Sequence, residues 1–415
     1  MLKEDTLPML PEDILLEILY RLPVASLIRF RSVCKTWYHI IATPSFAKSH
    51  LACQKTSSSN KYILYNDNHL CTLLTNSDPL FDSTKHSKLY YTPELFGKDV
   101  TCDSWDLEIQ GACHGLLCLS QQCYHIGNDI HLWNPICRKA KKLPQLEISI
   151  KDKFGFNLRA GVIFGYYCDD YKVIVIAYVN STFIISVYSL STNSWNTIQT
   201  NFYLEEKYNY RFVLATKFVD GTAYMLTCNK LVICYELSNK SIRVIKLPEE
   251  FCACGITLEA YGETIAVLGQ EKSYLTMWIL RDKSSLSPWE KKFNIAVHEV
   301  SNYQAVGFLN NGKYLLRTFE LEGDSCVTKL FDSCVTKLFL CDTEIPNITE
   351  FRSFTESTSC LGLPPKYPTV QGRIDSNFVE SLLLLNEDDL HPFSQTEMDS
   401  TCSSTLFTLQ WCTTD

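Results

Sequence analysis

The sequence predicts a mainly β chain. A small N-terminal module of three helices covers residues 8–50, followed by a short linker at 51–60, a β-propeller-like body over 61–385 and an acidic tail at 386–415. Three observations predict this. Helical periodicity of apolar residues is confined to residues 10–46. Beyond residue 60, short β-branched and aromatic runs alternate with Asn, Asp, Gly and Ser clusters, the pattern of strands and turns. One unit also recurs: an apolar strand, a polar turn, then a strand ending near an aromatic residue or Leu-Pro. Its anchors Trp133, Tyr188, Tyr235 and Trp278 lie roughly 45 to 55 residues apart, the spacing of four-stranded propeller blades. A pair of β-sandwiches, the alternative, would not need such a period.

The helical module comes first. Glu12 and Asp13 follow Pro11, a start that suits a helix N-terminus. Ile14, Leu15, Ile18, Leu19 and Leu22 then make one broad apolar face. Pro23 stops this helix and opens the next. Leu27, Ile28, Phe30, Val33 and Cys34 form a second apolar pattern interleaved with Arg29, Arg31 and Lys35, and Trp37, Ile40 and Ile41 a third, ended by Thr43-Pro44. Three helices in about forty residues cannot bury so many large apolar side chains among themselves. The remainder expects either a partner or a place as a cap on the chain's own β body. Residues 54–61 are polar and Ser-rich, a linker by composition.

Strand-like runs then follow at 61–65, 70–74, 111–119, 129–135, 162–167, 171–178, 184–190, 195–198, 212–215, 221–226, 231–237, 264–268, 275–280, 314–317, 337–342 and 378–385. Trp133, Trp195 and Trp278 read as core anchors at matching places in successive units. Residues 324–331 and 332–339 are the same eight letters, DSCVTKLF, in tandem. One copy suffices for the strand leading into Leu340, so the other is expected in a longer hairpin or bulged loop. The long irregular stretches 75–110, 144–160, 200–210 and 282–304 are the candidate target-binding loops. The tail has acidic residues, many Ser and Thr and no Lys or Arg, a composition expected to be disordered.

Composition bounds the function. Of 415 residues, 46% are hydrophobic and 20% charged, an ordinary globular balance, and the net charge of −8 argues against general binding to nucleic acid or anionic membranes. The N-terminus has no signal-peptide core, and no apolar run is long enough to span a membrane. A cytoplasmic or nuclear protein is expected, with its 19 cysteines free and its sequons at Asn180 and Asn347 unused. No phosphate loop, Gly-x-Ser-x-Gly, His-Glu-x-x-His or Cys-x-x-Cys is present, so neither an enzyme nor a cofactor is expected. Cys113, Cys118 and Cys123, near His114 and His125, fit no common zinc spacing; on one strand, a step of five would put successive cysteines on opposite faces. Cys252 and Cys254 share a face but are too few for a metal site. Arg138, Lys139, Lys141 and Lys142 read as a solvated turn, or as a docking patch for an acidic partner.

Two sets of residues carry a family resemblance. Leu10-Pro11 with the acidic pair, the run from Ile14 to Leu19, Leu22-Pro23-Val24, Ser26-Leu27, the run from Arg29 to Lys35, Trp37 and Pro44-Ser45-Phe46 resemble an F-box of the plant type. The run from Gly111 to Leu119, Leu132-Trp133-Asn134-Pro135 with Leu143-Pro144, Asp170 to Val173, Val187 to Leu190 with Trp195, and Glu380 to Asn386 resemble the F-box-associated domain of the same plant proteins, often labelled F-box/kelch-repeat. Tyr166-Tyr167 departs from the acidic residue more usual there, and Gly221 to Tyr224 from the usual strand sequence. The resemblance implies a non-catalytic substrate-recognition subunit of an SCF-type (Skp–cullin–F-box) ubiquitin ligase. Its F-box would bind a Skp-type adaptor, and through it a cullin; its β domain would bind an unidentified target protein for ubiquitination and degradation. Leu10, Pro11, Ile14, Leu15, Ile18, Leu22, Pro23, Leu27, Val33, Cys34 and Trp37 would line the adaptor interface or support it. Receptors of the S-locus type, which recognise pistil ribonucleases, have a similar layout, and an F-box scaffold acting outside any ligase is the reading from another class.

Overall fold

The protein is described from a computed structural model, which covers residues 11–56, 61–67, 70–75, 86–90, 107–121, 130–146, 159–179, 182–203, 213–249, 251, 256–271, 274–282, 288–296, 304–308, 313–321, 334–342, 347–356, 373–379 and 381–384. The remaining residues, including the tail, lie outside the described residues.

Four helices open the chain: α1 (Glu12–Arg21), α2 (Val24–Phe30), α3 (Lys35–Ala42) and α4 (Pro44–Thr56). Pro11 and Pro23 stand just before α1 and α2, with extended backbone and no side-chain cap. The sequence resolves only three helices because Pro44, taken as a stop, opens α4 instead. This helix runs into the stretch whose composition suggests a linker. Its residues His50, Leu51 and Gln54 are buried; Gln54 Nε2 donates to Tyr20 O at 3.2 Å and His50 Nε2 to Leu22 O at 2.8 Å. Side chains of α4 thus satisfy the orphan carbonyls at the end of α1.

Among the described residues twenty-four strands follow, arranged in six four-stranded antiparallel sheets. The second blade is β4 (Leu107–Cys113), β5 (Leu116–Gln121), β6 (Ile130–Asn134) and β7 (Lys139–Lys142). The third is β8 (Arg159–Tyr167), β9 (Asp170–Val179), β10 (Thr182–Ser189) and β11 (Ser194–Tyr203). The fourth is β12 (Val213–Val219), β13 (Thr222–Thr227), β14 (Leu231–Glu236) and β15 (Ser241–Lys246). The fifth is β16 (Thr257–Tyr261), β17 (Thr264–Glu271), β18 (Tyr274–Leu280) and β19 (Trp289–Ala296). The sixth is β20 (Gln304–Phe308), β21 (Lys313–Leu321), β22 (Cys334–Asp342) and β23 (Asn347–Glu356).

The first blade is made from both ends of the β region. Its order is β24 (Arg373–Val379), β1 (Lys61–Asp67), β2 (Leu70–Thr75), β3 (His86–Tyr90), with β24 antiparallel to β1. Each blade's first strand touches the next: β24 to β4, then β8, β12, β16, β20 and back to β24. The ring is closed, so the sheets keep free edges only at the rim.

The four gaps from blade two to blade six each hold a core. Leu116, Cys118 and Leu132 pack on Phe164, Tyr171 and Val173 between blades two and three, and Ile163, Ile174 and Phe183 on Met225, Ile233 and Tyr235 between three and four. Blades four and five share Tyr224, Val232, Ile265 and Val267, and Leu316 of blade six joins Leu268 and Met277 of blade five. A sheet buried on both faces explains why strands such as β6 and β13 are buried at every residue.

The periodic anchors fall where the period implies: Trp133, Tyr188, Tyr235 and Trp278 all lie on third strands, β6, β10, β14 and β18. Trp195 does not match Trp133 and Trp278. It opens a fourth strand, and its counterpart is Trp289. The run at 111–119 is two strands, not one, because His114 (φ 50°) and Gly115 (φ 81°) make a tight hairpin. Cys168-Asp169 and Asp220-Gly221 make the same left-handed pair at the same point in the next two blades. Among the described residues of the run at 378–385, Phe378 and Val379 are strand, and Leu382 and Leu384 are buried beyond it. The second DSCVTKLF copy supplies residues Cys334 to Phe339 of β22, and the first lies outside the described residues.

Candidate functional site

Leu19, Val24, Leu27, Ile41 and Phe46 form the core of the helical module, and Leu382 enters it from the far end of the chain. The apolar residues of α1 therefore divide. Leu19 points inward, Leu15 and Leu22 are half-buried, and Ile14 and Ile18, one turn apart, stay outside at 48% and 44% exposure. Val33 in the turn after α2 is 60% exposed and Tyr38 on α3 is 45% exposed. Among the described residues only one other large apolar side chain, Tyr274, is so exposed. Pro11, Pro23 and Cys34 are also exposed.

The sequence-derived set thus separates into roles. Leu27 is fully buried and can only support the surface. Cys34 precedes α3, where its Sγ accepts the Trp37 N–H at 3.5 Å. Trp37 is half-buried, edge-on to Phe30 with centroids 5.2 Å apart. Leu10 lies outside the described residues. Tyr38 was not legible, because it falls off the face that Trp37, Ile40 and Ile41 share. The guanidinium of Arg31 sits 4.6 Å above its ring.

The module also rests on the propeller, as the cap reading of its apolar residues expects. Ile136 and Cys137, in the β6–β7 turn, pack against its core beside Leu382. Asn134 is fully buried. Its Nδ2 donates to Ser381 O at 2.9 Å and to Leu383 O at 2.8 Å, while its Oδ1 accepts the N–H groups of Ile136 and Cys137, each at 3.1 Å. Lys48 of α4 pairs with Asp169 at 3.5 Å, and the Lys55 ammonium lies 5.6 Å from the Tyr166 ring centre. His114 Nδ1 is 3.2 Å from Tyr171 Oη. Burial, with the nearby Lys55 charge, pushes His114 down to about 4.

These contacts define the two ends of the ring. The turns joining first to second strands of blades two and three, and third to fourth strands of blade two, face the helices. Connections from second to third strands, and from each fourth strand to the next blade, leave from the opposite ends. Of the candidate loops, 91–106, 147–158, 204–212 and 297–303 connect strand ends on this far face. By the same topology 76–85 and 283–287 connect strand ends on the helix side, and Leu321 and Cys334, the strand ends on either side of the first DSCVTKLF copy, lie on the far face. Parts of the candidate stretches are themselves strand: β3, the start of β4, the start of β8, the end of β11 and β19.

Among the described residues no three His, Cys, Asp or Glu side chains gather as a metal site would require, and no helix is long and apolar enough to cross a membrane. Cys113 and Cys118 sit on the two strands of a hairpin, so parity along one strand does not relate them. Cys123, His125, Cys252 and Cys254 lie outside the described residues. In blade three, Asp170 accepts hydrogen bonds from Lys172 Nζ, the Ser191 amide and hydroxyl, and Ser189 Oγ. Burial raises its pKa, but these donors outweigh it and hold the carboxyl at about 2. They lock two turns together, a structural role.

A closed propeller with an apolar helical module seated on one face defines a class of two-part interaction proteins. The comparisons name the family. Residues 7–49 match the F-box domain and residues 68–329 match the F-box associated beta propeller domain, so the chain belongs to the F-box proteins that carry an associated β-propeller. Among its relatives in Arabidopsis thaliana, F-box protein CPR1 is 23% identical over 325 residues, covering 69% of this chain and 73% of the relative. An F-box/kelch-repeat protein is 25% identical over 322 residues, covering 69% and 79%. Among solved structures, TolB from Acinetobacter baumannii aligns with a TM-score of 0.41 at 11% identity, covering 82% of this chain and 73% of TolB. The fold rests on the strand topology.

Proposed function

We propose that this chain is the substrate-recognition subunit of an SCF-type ubiquitin ligase, working in the cytosol or nucleus. Its helical module binds a Skp-type adaptor, and through it a cullin; the far face of its propeller holds a target protein. Transfer chemistry belongs to other subunits. This chain contributes proximity, raising the effective concentration of target lysines.

The observation that carries this reading is the exposure of Ile14, Ile18, Val33 and Tyr38 on a module whose remaining apolar residues are already committed to its core and to the propeller. Covering each half-exposed side chain is worth on the order of 1 kcal/mol. The test is co-purification of the full chain with a Skp-type adaptor, against an Ile14→Asp/Ile18→Asp variant. Both side chains point to solvent, so the variant should fold. Binding by the wild type and a loss on the order of 100-fold in the variant are expected. A folded wild type that captures no adaptor would overturn the reading.

A further inference from the structure

Among the described residues each blade ends outward in its last strand: β3, β7, β11, β15, β19 or β23. Such an edge offers backbone groups to another strand, and proteins blunt it with charge, with a bulge or by keeping it short. Five of the six edges show these devices. β3 carries Lys88, and β15 carries Arg243 and Lys246. β7 is four residues long and holds Lys139, Lys141 and Lys142, which gives the basic run at 138–142 a role in edge protection. β19 and β23 each carry charged residues and an extra residue, Lys292 and Phe351, that breaks register with the neighbouring strand. β11 differs. It is ten residues long, SWNTIQTNFY, without Lys, Arg, Asp, Glu or Pro. From Ser194 to Gln199 it pairs with β10 in unbroken register, and the shift in that ladder lies beyond Gln199.

We propose that the β11 edge is a self-association surface. Residues 194–199 pair antiparallel with the same residues of a second copy, about a two-fold axis at Thr197, and join two blades into one eight-stranded sheet.

The occupant follows from the strand's own sequence. Opposed side chains in such a pair lie on one face of the sheet, so residues of the same parity meet across a two-fold axis. With Thr197 on the axis, Thr197 meets its own copy, Asn196 meets Ile198 and Trp195 meets Gln199. No charge faces another, and Thr opposite Thr is a favourable cross-strand pair. The chain's net charge of −8 opposes contact between copies in general, so a neutral strip is where two of them can approach. The edge is also held ready from its own side. Trp195 Nε1 donates to Pro144 O at 2.7 Å, Thr197 Oγ1 lies 2.8 Å from Ser186 Oγ, and Tyr188 Oη donates at 2.8 Å to Asn193 Oδ1 in the turn just before the strand. A strand already fixed loses little freedom on pairing. Asn196, Thr197 and Gln199 are exposed. The resulting dimer carries two far faces and two helical modules, so a partner with two binding sites is held with avidity. This inference does not rest on the receptor reading.

Sedimentation velocity of the full chain across a rising concentration series, with amide hydrogen exchange on the same samples, tests it. The wild type is expected to pass from monomer to dimer. The amides of residues 194–199 should gain protection as it does, and those of β7 and β15 should not change. Thr197→Lys and Thr197→Glu each set like charges against one another on the axis and should dimerise about tenfold more weakly. Thr197 is exposed, so both variants should fold, which thermal melts check. An equal mixture of the two should recover the dimer, because Lys then meets Glu. A wild type that stays monomeric, an edge already protected in the monomer, variants that dimerise like the wild type, or a mixture no better than its components each overturns the proposal. Adaptor capture is expected to be unchanged in both variants, so failure here does not bear on the receptor reading.

Discussion

Asn134 shows how much one side chain can join. Both of its donors and its acceptor oxygen are used, on backbone groups and on Ser381 Oγ, and they tie the β6–β7 turn to residues 381–383. The sequence presents Leu132-Trp133-Asn134-Pro135 and the leucine run after Glu380 as separate motifs; only the fold shows that one clasps the other. Asn134→Ala leaves buried carbonyls and amides without partners and should cost about 3 kcal/mol, read as a lower urea midpoint. Asn134→Asp keeps the shape but removes both donors and should be no better. His114 gives a pH signature. Its pKa is held at about 4, below its ordinary 6.5, so the unfolded chain takes up a proton first as pH falls. The stability it lends is present above pH 6.5 and is lost progressively down to about pH 4. Thermal melts across that window should be flatter for His114→Gln than for the wild type. The apolar composition of α1 was legible in the sequence, but not which side of it faces the module's own core, because Leu382, which helps decide that, comes from the other end of the chain.

At the scale of elements, what was legible depended on burial. Third strands, enclosed on both faces, read as apolar runs and gave the period. Fourth strands lie at the rim, and β19, with sequence WEKKFNIA, alternates irregularly between buried and exposed; β7 is KAKK. Such strands carry little apolar signal, so β15 and β19 were legible only as the closing strands of the recurring unit, and β23 was not resolved. The fourth strands of two blades nevertheless share a device. Trp195 Nε1 donates to Pro144 O at 2.7 Å and Trp289 Nε1 donates to Lys246 O at 2.8 Å, each reaching back to the end of the preceding blade. Trp289 is the more buried. Trp289→Phe should therefore cost ~1–2 kcal/mol and Trp195→Phe less, as compared by denaturant midpoints.

For the whole molecule, ring closure depends on pairing β24 with β1. That pairing was not legible, since RIDSNFV has no apolar run and its partner lies about 310 residues earlier, where sequence patterns give no register. A chain ending at residue 372 should lack the closing strand, leave β1 and β4 without their innermost neighbour, and lose cooperative unfolding; a chain ending at residue 385 should keep both. Size-exclusion chromatography and urea titration of the two truncations check this.

The clasp at Asn134 and the place of Leu382 in the helical core have a consequence in time. The helices leave the ribosome first, and the residues that seat them arrive last, roughly 15–65 s later at ordinary rates of synthesis. Until then the N-terminal module has its own core but no finished footing. A nascent or prematurely terminated chain would therefore differ from a complete one at the surface that carries Ile14 and Ile18, and the order of synthesis itself separates finished chains from unfinished ones.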